Sequence, residues 1–265
     1  MQQAFGKSLV VCTLAFYFKV FQEFPLVVAA NRDEHYDRPS AAPARLDTRP
    51  AIIAGRDLRV GGTWLGINEH GLMVGILNRR TNGVGSGGAD PRSRGLLSMD
   101  LLRIKNAAAA QRFMQAHREK YQPFTVVCAD RERAWAAYNS QDKIALIALP
   151  KGLHVFSSAA EVDLRSEKAD RAYHRFAQLV DEAAETKLSQ TQTLAKLQSL
   201  LSDHDSLGIP RGNSQEVLCV HGEVSGTVSA SVIYYSSSQQ QFEMYHCPGP
   251  PCRNSFGQAL ILPVL

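Results

Sequence analysis

Two apolar runs open the chain. Residues 14–20 and 26–30 are rich in aromatic and β-branched side chains, and Gln22, Glu23 and Pro25 separate them. This pattern predicts two strands joined by a short turn. Antiparallel pairing puts the start of one strand beside the end of the next, so Cys12 is expected near Asn31, Arg32 and Asp33. Residues 40–50, rich in proline, alanine and arginine, read as an irregular surface connection. Residues 61–67 and 72–77 read as paired strands turning at Asn68-Glu69-His70-Gly71, and 81–88 as a glycine-rich tip.

Two helices are expected next, over 96–105 and 107–117, with Asn106 capping the second. Short strands follow at 124–129, 134–138, 144–149 and 153–157. Between 165 and 187 the apolar positions Ala169, Tyr173, Phe176, Val180 and Ala183 recur at three and four residues and predict one sticky helical face. A further helix over 191–201 precedes strands at 217–220, 227–235 and 241–245. Runs of strands separated by pairs of helices predict α+β architecture, with helices against antiparallel sheets in one domain over 12–265.

At 265 residues, 45% apolar and 20% charged, the chain can bury a substantial core. The net charge of +4 comes from both signs spread along the chain, which argues against a nucleic-acid partner. Five cysteines, at 12, 128, 219, 247 and 252, show no disulfide rhythm and suit a reducing compartment. Cys247 and Cys252 lack a second pair, so no metal or cofactor is expected. The apolar run before Lys19 is too short to span a bilayer, and cutting after Ala30 would discard the hairpin. A cytoplasmic protein without stable membrane insertion is expected.

The hairpin's open end carries two readings. A guanidinium beside a thiol favours the thiolate, the form that attacks carbonyls, and Asp33 could orient an amine or Arg32 itself. Alternatively, Cys12 is a small apolar residue in a buried strand, and the charges are an ordinary ion pair.

The string Ala30-Asn31-Arg32-Asp33-Glu34 is followed by Tyr36, Arg38 and Pro39, then Gly61-Gly62-Thr63-Trp64-Leu65-Gly66, Asn78, and Arg92-Ser93-Arg94-Gly95. In that order these motifs resemble the NRDE family, whose eukaryotic members are called transport and Golgi organisation proteins. The resemblance implies the four-layer αββα sandwich of the N-terminal nucleophile (Ntn) hydrolases. It also implies a cysteine amidase or acyltransferase acting on a small amide or acyl compound. In the bile-salt hydrolase and penicillin V acylase branch, a cysteine freed as residue one attacks the amide and its own α-amine is the base. Carried over, Cys12 is the nucleophile, Arg32 supports the thiolate, Asp33 the amine, and Asn78 the oxyanion. Asn31 and Trp64 are assigned to substrate, with core packing as the other reading of Trp64. An α-amine of pKa roughly 8 can accept a thiol proton near neutrality.

Three departures accompany the resemblance. Residues 1–11 precede Cys12, so the amine is free only if they are absent from the mature protein. Translation starting at Val11, with methionine then trimmed, is the expected route. The mid-chain asparagine of the hydrolases is missing from Phe156-Ser157-Ser158-Ala159, and the last-sheet Gly226-Thr227-Val228-Ser229-Ala230 has valine where arginine is usual. The competing expectation is therefore a binding or carrier protein on a hydrolase scaffold. The family's links to secretory organisation, haem movement and acyl-lipid metabolism make haem or acyl-CoA its cargo.

Overall fold

The computed structural model describes residues 12–46, 48–79, 91–116, 121–140, 143–158, 167–186, 188–204 and 217–265. The extension 1–11 and the tip expected at 81–88 lie outside them. In chain order the strands begin with β1 (Thr13–Phe18), β2 (Leu26–His35), β3 (Ser40–Leu46), β4 (Ile52–Asp57), β5 (Leu65–Asn68) and β6 (Met73–Asn78). Helices α1 (Arg94–Leu102) and α2 (Ala107–Ala116) follow, then β7 (Phe124–Ala129), β8 (Ala134–Ser140), β9 (Lys143–Leu149) and β10 (Gly152–Ser157). Helices α3 (Glu167–Glu185) and α4 (Gln190–Leu201) precede β11 (Ser225–Ser236), β12 (Gln241–Cys247) and β13 (Leu260–Pro263).

The strands form two antiparallel sheets, ordered β10-β1-β2-β11-β12-β13 and β3-β4-β5-β6-β7-β8-β9. Between them lies one core, where Leu14, Phe16, Val28 and Ile233 meet Leu65, Ile67, Met73 and Leu77. The outer face of the second sheet, with Val74, Val126 and Cys128, takes Leu97, Leu101 and Met114 of α1 and α2. The outer face of the first, with Tyr17, Val27 and Tyr234, takes Phe176 and Leu179 of α3 and Leu197 and Leu201 of α4. The order of layers is helix, sheet, sheet, helix. Both faces of the central strands are covered, which is why β1 reads as an unbroken apolar run.

Most expected elements stand, with small changes of boundary. Asn106 caps α2, its Oδ1 accepting from the Ala109 amide at 2.8 Å. Three expectations change. Residues 40–46 form a strand, because Pro43 is tolerated at a sheet edge and an irregularity between Ala41 and Ala44 absorbs the break in pairing. Residues 217–220 are not a strand, although all four are buried. In α3 the buried face is Lys168, Ala172, Phe176 and Leu179, while Tyr173 is 47% exposed. Two neighbouring stripes of this helix fit a 3.6-residue period, and α3 docks the one that carries a lysine.

The turn between β5 and β6 shows how polar groups hold the layers. Buried Asn68 donates from Nδ2 to the Leu102 and Ile104 carbonyls at 2.8 and 2.9 Å, and its Oδ1 accepts from the His70 and Leu72 amides. One side chain thus closes the turn and satisfies the carbonyls that end α1. Asn68→Ala leaves those groups without partners, and a loss of about 1–3 kcal/mol is expected in urea unfolding.

Candidate active site

Cys12 stands just before β1, one step past the last hairpin pair, Thr13 with Asn31, and so opposite Arg32. Its Sγ donates to the Asp33 carbonyl at 3.2 Å. The end of β10 flanks its other side, where the Ser158 amide donates to the Cys12 carbonyl at 3.2 Å. The segment lacking the expected asparagine therefore does border the cysteine.

Successive residues of a strand point to opposite faces, so Arg32 and Asp33 cannot act on the same side of β2. Arg32 faces the space between the sheets. Its guanidinium lies 4.3 Å from the Trp64 ring centroid, Nη1 donates to Ser40 Oγ at 3.1 Å, and Nη2 is 3.7 Å from Glu34. Asp33 turns its carboxylate toward α3. Lys168 Nζ reaches Oδ2 at 3.0 Å, and the Thr227 hydroxyl donates to Oδ1 at 2.6 Å. Both members of the Asp33–Lys168 pair are at most 4% exposed. The expected orienting of Arg32 by Asp33 is replaced by a buried pair on the opposite face.

The thiol of Cys12 is pushed up to about 11. Burial is the main cause and the Asp33 charge adds to it, while Arg32 offsets only part. Arg32 draws the thiol toward the thiolate, but its charge is shared with Glu34 and stacked on Trp64, and desolvation outweighs it.

Asn31 is buried, and its Nδ2 donates to the Leu201 and Leu218 carbonyls, both at 2.8 Å. Those donors tie β2 to the end of α4 and to residues 217–220, which leaves no amide hydrogen for a substrate. Trp64 is half-buried. It lies flat because Gly55 has no Cβ, which would sit 2.6 Å from the indole. The preceding Gly62 packs on the Gly95 backbone, and the Thr63 amide donates to the Gly95 carbonyl at 3.0 Å, so two separate sequence motifs meet behind the tryptophan.

Cys12, Arg32, Trp64, Leu77 and Ser229 line one cavity between the sheets. Its free space of about 20 Å³ holds roughly one water molecule. Asn31 also borders it. Asn78 ends β6 one residue beyond Leu77 and does not line it; alternation along the strand puts it on the face of Val74 and Ile76, against α1 and α2.

Sequence reasoning missed Lys168 and Thr227. Lys168 was findable as a lysine four and eight residues before Ala172 and Phe176, on an otherwise apolar stripe. Thr227 sits beside an irregularity in the pairing of β11 with β2, between Thr227 and Ser229. Val228, which replaces the usual arginine, falls at that irregularity.

Removing one member of a buried ion pair strands the other. Lys168→Met is expected to cost about 3–5 kcal/mol in chemical unfolding, and adding Asp33→Asn to recover part of the loss. For the chain that retains residues 1–11, alkylation of Cys12 by iodoacetamide should be slow at neutral pH. It should rise about tenfold per pH unit until near pH 11, because the thiolate is the reacting form and burial disfavours it.

Solved structures share this architecture. Penicillin V acylase from Agrobacterium tumefaciens superposes with a TM-score of 0.56 at 12% identity, covering 88% of this chain and 82% of its own. A mutant conjugated bile acid hydrolase from Clostridium perfringens gives 0.55 at 9% identity, with 94% and 96% covered. The fold is that of the Ntn hydrolases. The mouse Transport and Golgi organization 2 homolog is 40% identical over 58 residues, and the Bos taurus homolog 38% over the same length. Those stretches span 21% of this chain and about a fifth of the relatives' length. The Transport and Golgi organisation 2 family matches residues 11–245, from the site cysteine's neighbour to β12, and the chain belongs to that family.

Proposed function

We propose that this protein is an N-terminal-cysteine amidohydrolase or acyltransferase acting on a small amide or acyl compound, with Cys12 as residue one of the active form. The observation that carries this reading is the Cys12 thiol. It borders the intersheet cavity and burial favours its protonated form, so it needs a base that no neighbouring side chain among the described residues supplies. A free α-amine on the same residue meets that need at pH values near 8.

The amine takes the thiol proton as Sγ bonds to the substrate carbonyl carbon, and the C–O π electrons move to oxygen. Collapse of this intermediate breaks the C–N bond, and the ammonium returns the proton to the leaving amine. A thioester remains on Cys12. Water, or an acceptor nucleophile, attacks it by the same proton exchange and frees the thiol. Buried Asn31 Oδ1, Thr13 Oγ1 and Ser158 Oγ have no hydrogen-bond partner among the described residues. They surround the start of β1 and suit an ammonium there. Arg32 supports the developing thiolate from its stack on Trp64, and Asp33 holds Cys12 through its backbone carbonyl. Asn78 serves the oxyanion only if its side chain turns from the α1 and α2 face into the intersheet space. The narrow cavity admits the reacting carbonyl end, and the rest of a substrate must lie outside it.

A second reading, a carrier on the same scaffold, draws on the raised thiol and on Val228 in place of the usual arginine. It predicts stabilisation by cargo such as haem or acyl-CoA without turnover. The deciding experiment uses protein beginning at Cys12, released from a fusion and incubated with amide and activated-ester panels. Intact mass should show one acyl adduct on Cys12, and Cys12→Ala should lower turnover by about 10⁴-fold or more. Full turnover in Cys12→Ala would refute the mechanism. Cargo-induced stabilisation with no adduct would favour the carrier.

A further inference from the structure

Three chain segments bring four metal-ligating side chains together behind the candidate site. His204 follows α4, Cys219 and His221 lie in the buried segment before β11, and Cys252 sits in the proline-rich turn after β12. Cys219 Sγ is 3.6 Å from Cys252 Sγ and 3.7 Å from His221 Nε2, and His221 Nε2 is 3.1 Å from Cys252 Sγ. Ligand atoms of His204, His221 and Cys252 all lie within 4.8 Å of one another.

From this geometry we infer a zinc site formed by Cys219, His221, Cys252 and His204. Zinc bonds to sulfur at about 2.3 Å and to imidazole nitrogen at about 2.0–2.1 Å, which spaces tetrahedral ligand atoms roughly 3.5–3.8 Å apart. The two Cys219 distances, 3.6 and 3.7 Å, already match that spacing, and the 3.1 Å between His221 Nε2 and Cys252 Sγ opens by about half an ångström to admit the metal. His204, which is exposed, supplies the fourth ligand by a turn of its side chain. Its Nδ1 contacts the Ser202 carbonyl at 3.0 Å, an outer contact that fixes the tautomer and leaves Nε2 to the metal. Two thiolates neutralise the dication, and a mixed thiolate and imidazole set selects zinc over the oxygen-seeking metals.

Cys247 stays out of the set: its Sγ is directed to the Gly249 and Asn254 carbonyls. The sequence, read through Cys247 and Cys252 without a second pair, predicts no metal; the ligands gathered here come from segments distant in the chain.

The site braces the Asp33 corner. Segment 217–221 reaches it through Thr227, whose Oγ1 accepts from the Val220 amide at 2.8 Å and donates to Asp33. The Cys219 amide donates to the Asp203 carbonyl at 2.9 Å, joining the ligand segment to the residue before His204. A metal here clips α4, β11 and β12 together, so the inference stands apart from any chemistry at Cys12.

The test measures metal in purified, untagged, full-length protein and follows titration of metal-free protein with Co²⁺. One zinc per chain is expected, with Co²⁺ giving intense visible ligand-field bands and near-ultraviolet sulfur-to-metal charge transfer. Cys219→Ser and Cys252→Ser should each remove the charge transfer and weaken zinc binding about 100-fold or more. Cys128→Ser, in β7 and buried against α1 and α2, should leave both unchanged. Should the serine variants not fold, zinc release from the unaltered protein by a thiol-blocking mercurial serves instead; it should track modification of two thiols. Less than a tenth of an equivalent of zinc together with no cobalt charge transfer would overturn the site. So would a Cys219–Cys252 disulfide in the isolated protein.

Discussion

Everything in this protein depends on β2 being buried on both faces. A strand in the middle of a sheet, between a second sheet and a layer of helices, must send alternate side chains into two different environments. Along β2, Val28 and Arg32 enter the space between the sheets, while Val27, Ala29 and Asp33 meet α3 and α4. The chain places a charge on each side within two residues. Each charge must then find its own partners, Trp64 and Ser40 for Arg32, Lys168 and Thr227 for Asp33. Neither can be left unpaired at that depth without a cost of several kcal/mol.

That division decides what the cysteine can do. Cys12 shares the intersheet face with Arg32, yet the guanidinium is committed to an aromatic face and two oxygens, and the thiol remains protonated by burial. Asp33 touches the cysteine only through its main-chain carbonyl. Among the described residues, no side chain at this corner is placed to take the thiol proton. The same four-layer scaffold occurs in acylases and bile acid hydrolases of about a tenth identity, which shows how far sequence can drift while this layering persists.

The corner is also where distant segments are tied. Asn31 holds the end of α4 and Leu218, Thr227 links Asp33 to Val220, and the thiols and imidazoles of residues 204–252 converge just beyond. Residues 217–220 have no sheet partner among the described residues, yet they are buried, held by side chains and single backbone bonds in place of a ladder. Polar side chains here substitute for secondary structure, as Asn68 does on the opposite helical layer.

The sequence by itself determined most of the strands and helices, because apolar runs such as residues 14–18 and polar turns such as 68–71 are local signals. Antiparallel pairing of the first two apolar runs predicts Cys12 beside Arg32, and the packing of the second sheet adds Trp64 to the same cavity. Tertiary structure alone decided which stripe of α3 is buried, that Lys168 pairs with Asp33, and that Cys252 lies against Cys219 and His221 instead of Cys247. Each of these joins residues 30 or more positions apart in the chain or selects between two equally periodic faces. Periodicity reports only how a segment repeats, whereas partner choice depends on which surfaces the packed layers bring into contact.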